Sequence, residues 1–383
     1  MTQIIRIEWA TLVGRRPRAA GSNSRVSAAE APSLGIDVRV PLARITAADG
    51  SSGVGYARVT EAQARSLLGA PLESVFDAPT GARGNGLPFE FPLWDLAGRR
   101  AGLPVYALVA GEDGAARAGQ SLTVPCYDTT LYFDDLEAGS DEEAAALLGA
   151  EARQGWERGH RAFKMKVGRG ARFMSHEDGI RRDVAVVRGV REAVGPHAPI
   201  MLDANNGYTL NVAKQVLAET AACGIFWLEE AFHEDAVLYQ ELRRWLDRER
   251  LAVLIADGEG QASPTLMDWA RDRVVDVIQY DVLHPGFTRW LEIGTLLDGW
   301  GVRSAPHNYG RHYGNYASGH LAGAIRGFTY VEWDEATTPG LDASAYRVEE
   351  GRVLLPDAPG FGIDLDGAVF DRAVEETGFS VAT

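Results

Sequence analysis

Lys164 and Lys166, Asp203, Glu229, Glu259, Asp281, His307 and Glu332 follow one another along the chain, each at or just past the end of a short apolar run. The types are those of acid–base chemistry around a hard cation. Carboxylate oxygens suit Mg2+, which keeps coordination positions open for water or substrate. Lysine and histidine are residues that move protons near neutral pH once their surroundings are tuned. The series therefore spells a metal site and two proton-transfer bases before any fold is assumed.

Each member has a local argument. In a strand, residues i and i+2 share a face, so Lys164 and Lys166 point the same way and Met165 the other. Their flanks Phe163, Met165 and Val167 are apolar, as in a central strand, and two buried ammonium groups need anionic company. A substrate carboxylate and the ligands of a metal would provide it. Asp203 closes Ile200-Met201-Leu202, Glu229 closes Ile225-Phe226-Trp227-Leu228, and Glu259 follows Leu254-Ile255-Ala256 through Asp257-Gly258. Asp203, Glu229 and Glu259 are the expected Mg2+ ligands. Asp257 shares a face with Glu259 by strand spacing and competes for the third position, with Glu259, nearer the mouth, preferred. Asp281 ends Ile278-Gln279-Tyr280 and His307 ends Arg303-Ser304-Ala305-Pro306. On adjacent strands Asp281 would accept a hydrogen bond from one His307 nitrogen, fix its tautomer and aim the other nitrogen at the cavity. Glu332, in Tyr330-Val331-Glu332-Trp333-Asp334, would donate to a developing oxyanion if it were protonated, which needs a raised pKa. His176, His284 and His312 fall on mouth-side loops, where contact with substrate is one reading and plain surface residues the preferred one.

The elements that must position these residues are legible as alternating strands and helices from about residue 124. Strand-like runs fall at 124–130, 163–167, 200–205, 225–232, 253–258, 277–282, 302–307 and 329–334, with helical runs between them and glycines 159, 195, 224, 301 and 327 where helices should stop. In a (β/α)8 barrel all strand ends point at one mouth, which would gather the whole series in one cavity. The last helix is weak, so the fold class expected is α/β, a modified TIM barrel of (β/α)7β type over 124–354. Residues 1–123 read as an α+β unit with three strands. Within it the polar stretch Gly14 to Ala29 reads as a long mobile loop, near 14–29. The tail, 355–383, is expected to return to this first unit.

Hydrophobic residues make up 46% and charged ones 24%, ordinary for a globular protein, and 383 residues suit a barrel plus a smaller domain. The formal charge of −15 disfavours nucleic acid or an anionic membrane surface as partner. Cys126 and Cys223 are too few for a disulfide framework and read as buried thiols. No apolar run reaches membrane-spanning length and the N-terminus has no basic-then-apolar leader, so a cytoplasmic protein is expected, and by base rate a homo-oligomer.

The segments Phe163-Lys164-Met165-Lys166, Leu202-Asp203-Ala204-Asn205, Trp227-Leu228-Glu229-Glu230, Asp257-Gly258-Glu259, Pro306-His307-Asn308 and Val331-Glu332-Trp333 resemble the enolase superfamily, specifically its mandelate racemase-like subgroup. Pro92-Leu93-Trp94-Asp95-Leu96-Ala97-Gly98 and Pro359-Gly360-Phe361-Gly362 extend the likeness nearly end to end; Ala231 departs from it, where many relatives have proline. The resemblance implies a capping domain, with Gly14 to Ala29 as its main lid. It implies abstraction of the proton α to a carboxylate, with Mg2+ holding the enediolate. It makes Lys166 one base and His307, supported by Asp281, the other, on opposite sides of the intermediate. Lys164 would neutralise the substrate carboxylate and lower the pKa of Lys166, and Glu332 would bond to a carboxylate oxygen. Asn205, Asn308, Tyr309 and Arg16 would bind substrate. Together with Asn206, Tyr208, Arg311, Arg15 and Arg18 they suit a polyol chain better than an aromatic acid. The expected reaction is dehydration of a sugar acid to a 2-keto-3-deoxy acid. Racemisation or epimerisation of a 2-hydroxy acid is the alternative, and a catalytically silent binding barrel the rival of another class.

Overall fold

In the computed structural model, residues 2–20, 22–25, 35–78, 80–111 and 119–383 are described. Eight parallel strands form the barrel: Leu122–Leu131, Phe163–Lys166, Ile200–Asp203, Ile225–Glu229, Leu254–Asp257, Val277–Ile278, Arg303–Ser304 and Val331–Trp333. The first seven each pair with their neighbour in sequence, and Val331–Trp333 pairs back onto Leu122–Leu131. A bridge between Ser304 and Phe328 closes the remaining seam. Helices fill the first seven connections, from Asp141–Glu157 to Tyr313–His320, and none follows the last strand before the chain leaves the barrel. This is the (β/α)7β arrangement expected from the sequence.

The barrel interior is layered. Tyr127, Met201, Trp227, Ala256, Val277 and Ala305 form an apolar plug, with Tyr330 packed on it. One step further along each strand, at i+2, stand Thr129, Asp203, Glu229, Gln279, His307 and Glu332. Period-two alternation thus stacks an ionic layer on an apolar floor. Met165, Leu202, Leu228 and Ile278 point outward into the core shared with the helices.

Three antiparallel strands, Ile4–Ala20, Gly35–Ala47 and Ser52–Tyr56, form the N-terminal sheet, and the C-terminal strand Phe379–Ala382 adds to its edge against Arg6–Trp9. The tail therefore returns to the first unit. The expected loop at 14–29 begins instead as strand: pairing continues from Gly14–Val38 to Arg15–Asp37, and Arg15 bridges Thr337 beyond the last barrel strand. The polar side chains that argued for a loop serve there as ion-pair partners across the barrel mouth. Ser22–Arg25 lie on that mouth, while residues 21 and 26–29 lie outside the described residues.

The sheet and barrel share one continuous apolar core, running from Ile4 and Leu42 through Trp94 and Phe361 to Phe287 and Leu355. Glu90, on the Glu90–Ala101 helix, accepts hydrogen bonds from the first amides of the barrel helix Phe287–Trp300, including Thr288 N at 2.7 Å. A side chain at Gly286 would collide with that carboxylate. Among the described residues no helix is long and apolar enough to cross a membrane.

Candidate active site

Asp203, Glu229 and Glu259 converge, each offering an oxygen within 4.8 Å of the others. Asp203 and Glu229 sit opposite one another on paired strands, so register alone brings them together. Glu259 arrives by a different route. By strict alternation Asp257 and Glu259 would share a face, as expected from the sequence. The structure corrects this: Asp257 points outward and accepts a hydrogen bond from Tyr239 on the surrounding helix layer. Gly258, at φ +128°, then breaks the strand and swings Glu259 inward. Asp257, taken up by Tyr239, is not among the carboxylates that converge, and the third is Glu259.

Basic groups surround the three carboxylates. Lys164 Nζ lies 2.9 Å from Glu229, 2.8 Å from Glu332 and 3.5 Å from Asp203. Burial works against its charge, but Glu229 and Glu332 raise its pKa well above the ordinary lysine value. Lys166 Nζ donates to Asp203 and stands 5.3 Å from the ring of Tyr132. Asp203, fully buried, is nevertheless held below the usual carboxylate range by Lys166 and Lys164, whereas burial and the Asp203 charge push Glu229 up. Glu229 Oε2 is fixed by Trp227 Nε1 at 3.1 Å and Gln279 Nε2 at 2.9 Å. Asp203, Glu229, Glu230, Glu259, Asp281 and Glu332 outnumber Lys164, Lys166, His307 and Arg25, and Glu259 Oε2 is buried and makes no hydrogen bond among the described residues. Hard oxygen donors, an excess of negative charge and a buried carboxylate oxygen without a hydrogen bond fit a divalent cation.

His307 Nδ1 lies 2.5 Å from Asp281 Oδ1, and the two strand ends bridge in register. Nε2 faces inward, 3.4 Å from Glu259 and 3.6 Å from Glu332. Burial opposes its protonation, but Glu259, Glu332 and the bond to Asp281 carry its pKa up to about 9. Behind Asp281 a cavity of about 560 Å3, lined in part by Arg58, Glu90, His284 and Arg311, opens between the N-terminal unit and the barrel. His284 belongs to that cavity. His312 is buried, bonded to Thr338, and pushed down to about 4 by desolvation; it is a core histidine and not the surface residue expected.

Glu332 accepts from Thr129 Oγ1 at 2.7 Å, Asn308 N at 2.6 Å and Tyr309 N at 3.1 Å, besides Lys164. Its burial is overcome by Lys164 and His307, which hold it far below the usual range. It is an ionised acceptor, so the protonated donor contemplated from the sequence is not what these surroundings favour.

Of the expected substrate-binding residues, Asn205 stands beside Asp203, its amide N–H 3.0 Å from Asp203 Oδ1. Tyr309 stacks on Tyr132 at 5.0 Å beneath the Arg16 guanidinium. Arg16 pairs with Asp334 through two bonds, at 2.9 and 3.2 Å, which pins the first strand across the mouth. The Asn308 side chain turns away from the carboxylates to Asn315. Arg25 went unremarked in the sequence. It donates to both Glu230 and Glu259, while Ser24 Oγ donates to Ala204 O at 2.5 Å and also reaches Val167 O. No periodicity marks these two positions; Gln279, by contrast, was readable as the inward residue two before Asp281.

The family model described as enolase C-terminal domain-like matches residues 147–369. A galacturonate dehydratase from Geobacillus sp., solved with D-galacturonate and 5-keto-4-deoxy-D-galacturonate, is 46% identical with a TM-score of 0.92, covering 99% of this chain and 98% of that one. A magnesium complex of a variant of that enzyme gives a TM-score of 0.95 over 100% and 97%. An arabinonate dehydratase from Saccharolobus solfataricus is 28% identical, covering 73% of this chain and 69% of its own. A D-galactarolactone cycloisomerase from Agrobacterium fabrum is also 28% identical, over 72% and 70%. The chain belongs to the enolase superfamily, in its mandelate racemase-like branch.

Proposed function

We propose that this protein is a Mg2+-dependent hydro-lyase that removes water from a sugar acid to give a keto-deoxy acid, with hexuronates of the D-galacturonate type as first candidates. The observation that carries the reading is that Lys166 and the His307–Asp281 pair both reach the Asp203–Glu229–Glu259 cluster, from different strands. The galacturonate dehydratase likeness supports the substrate class.

Asp203, Glu229 and Glu259 would hold the cation. When bound, Mg2+ supplies a Lewis acid for the charge that develops on the substrate carboxylate as the α-proton leaves. The chain's own residues do the rest. Lys166 takes the α-proton. His307, its Nδ1–H held by Asp281, presents Nε2–H and delivers that proton to the departing β-hydroxyl, so hydroxide leaves as water. Asp281 and Glu332 beside the ring favour its charged form, as an acid needs. Lys164, locked between Glu229 and Glu332, adds fixed positive charge under the reacting carboxylate. Glu332 anchors Lys164 and the Asn308 and Tyr309 amides. Arg16, Tyr309 and Asn205 line the substrate side, and the N-terminal strands cap the mouth and exclude water. The reading takes in a cytoplasmic homo-oligomer.

Two bases would also serve racemisation or epimerisation, if the proton removed by one returned from the other. One experiment separates the readings. The protein is incubated with Mg2+ and a panel of uronic, aldonic and aldaric acids including D-galacturonate, and semicarbazide detects keto acids. Keto-acid formation from at least one member supports dehydration. Inversion at the α-carbon without keto acid supports the epimerase, and neither outcome on any member overturns both.

A further inference from the structure

Glu230 follows the metal-cluster residue Glu229 and has been given no role so far. It is buried, and its backbone sits in the left-handed region at φ +43°, a conformation a glutamate adopts only when its surroundings impose it. Asn205 and Asn206, across the strand ends, are left-handed as well, at +43° and +63°. The two loops are tied together: Asn206 N donates to Glu230 O at 2.7 Å. The Glu230 carboxylate then takes the Asn205 side-chain amide at 2.9 Å on Oε2 and the Asn206 side-chain amide at 3.3 Å on Oε1, and Arg25 joins on Oε1.

A carboxylate oxygen only accepts, so both asparagines must offer it their NH2 ends. Their orientation is thereby set, and both carbonyl oxygens face away from Glu230. Asn205 Oδ1 and Asn206 Oδ1 are buried, and no donor among the described residues reaches either. Two buried acceptors at the edge of the carboxylate cluster, without donors among the described residues, are costly until something donates to them. A hydroxyl does so; a methylene, a carbonyl or a carboxylate does not.

We propose that Glu230 is a specificity-determining positioning residue: by gripping the NH2 ends of Asn205 and Asn206 it presets two acceptors that demand hydroxyl-bearing carbons on the substrate. This deepens the sugar-acid reading and rests on it.

The test uses two readouts on the Mg2+-loaded protein. The first is binding without turnover: tartrate against succinate, which differ only by two hydroxyls. Wild type is expected to bind tartrate more tightly by roughly tenfold or more, the scale of one or two satisfied hydrogen bonds. Glu230→Gln, isosteric but able to present its own NH2, frees the asparagine amides to turn and should bring the preference to within about threefold. The second is kcat/KM for D-galacturonate against its 2-deoxy and 3-deoxy analogues. Glu230→Gln should lose discrimination mainly through KM on the parent, with kcat on the analogues little changed. Asn206→Ala, which removes one acceptor outright, should move both readouts the same way and stands in if Glu230→Gln does not fold. A full tartrate preference in Glu230→Gln and Asn206→Ala sinks the proposal, as does an equal loss of kcat on all three sugars. A wild type that prefers tartrate but turns over no sugar acid leaves the positioning role standing and removes the dehydratase reading instead.

Discussion

At the scale of single residues the division of labour between Lys166 and His307 is the point that chemistry can decide. Lys166 lies against Asp203, and His307 is wired through Nδ1 to Asp281 on a different strand. If Lys166 takes the proton and His307 only assists departure, the two steps separate on mutation. His307→Asn should lose keto-acid formation by roughly 10²–10⁴-fold, the usual contribution of a positioned acid or base. It should still exchange the substrate's α-hydrogen with D2O, visible by NMR. Lys166→Met should lose both. Undiminished keto-acid formation by His307→Asn, or α-hydrogen exchange surviving in Lys166→Met, defeats the assignment.

The elements show where sequence patterns suffice and where they stop. Lys164, Asp203, Glu229, His307 and Glu332 were legible because each obeys strand alternation, and alternation needs only the apolar neighbours to be read. Glu259 was harder, because its inward turn depends on a backbone angle and on Tyr239 capturing Asp257 from outside. Arg25, Ser24 and Glu230 were not legible as site residues: they meet across long chain separations, and their local sequence has no period. The same reason explains why residues 14–20 looked like loop, since strand pairing there is sustained by ion pairs to distant segments. Gly258 gives a direct check. A β-carbon there would lie 3.1 Å from the amides of Gln279 and Tyr280, at a φ that disfavours any side chain. Gly258→Ala should cost about 1–3 kcal/mol in stability. By misplacing Glu259 it should also weaken Mg2+ binding about tenfold or more, measured by calorimetric titration. A folded Gly258→Ala protein with wild-type Mg2+ affinity would show that the turn does not place the ligand.

Glu90 tests a second element contact, the one that seats the N-terminal unit on a barrel helix. Burial raises its pKa from 4.5 to about 7, against the hydrogen bonds from Thr288 and Phe287 that pull it down. The favourable helix N-terminus does not offset the desolvation. The folded protein thus holds the proton more tightly than the unfolded chain, so stability is greatest at low pH and falls as pH rises from about 4.5 to 7, then levels off. Between pH 5 and pH 8 this amounts to about 2–3 kcal/mol. Glu90→Gln keeps an acceptor for the helix amides and removes the titration. Urea denaturation at the two pH values should therefore show wild type losing about that much relative to Glu90→Gln. A constant difference would mean Glu90 is ionised throughout, with solvent reaching it from the cavity it lines.

For the whole molecule the question is whether cap and barrel are separable bodies. The apolar core runs through both without a break, the C-terminal strand crosses back to pair with Arg6–Trp9, and Arg16–Asp334 and Glu90–Thr288 bind the two at the mouth and at a helix end. Against this cohesion stands the crowd of carboxylates in the barrel mouth, whose mutual repulsion a divalent cation would relieve. Because such a cation binds the assembled site and not the unfolded chain, it adds about RT ln(1 + [Mg2+]/Kd), or roughly 2.7 kcal/mol at a hundredfold excess over Kd. A continuous core distributes that gain over everything it connects. Scanning calorimetry should then record one unfolding transition, moving upward as a unit when Mg2+ is added. Glu259→Gln, which removes a ligand charge, should keep the single transition and lose most of the shift. Two transitions, with Mg2+ moving only one of them, would mean that the barrel folds and binds on its own and that the cap is fastened to it only at the surface.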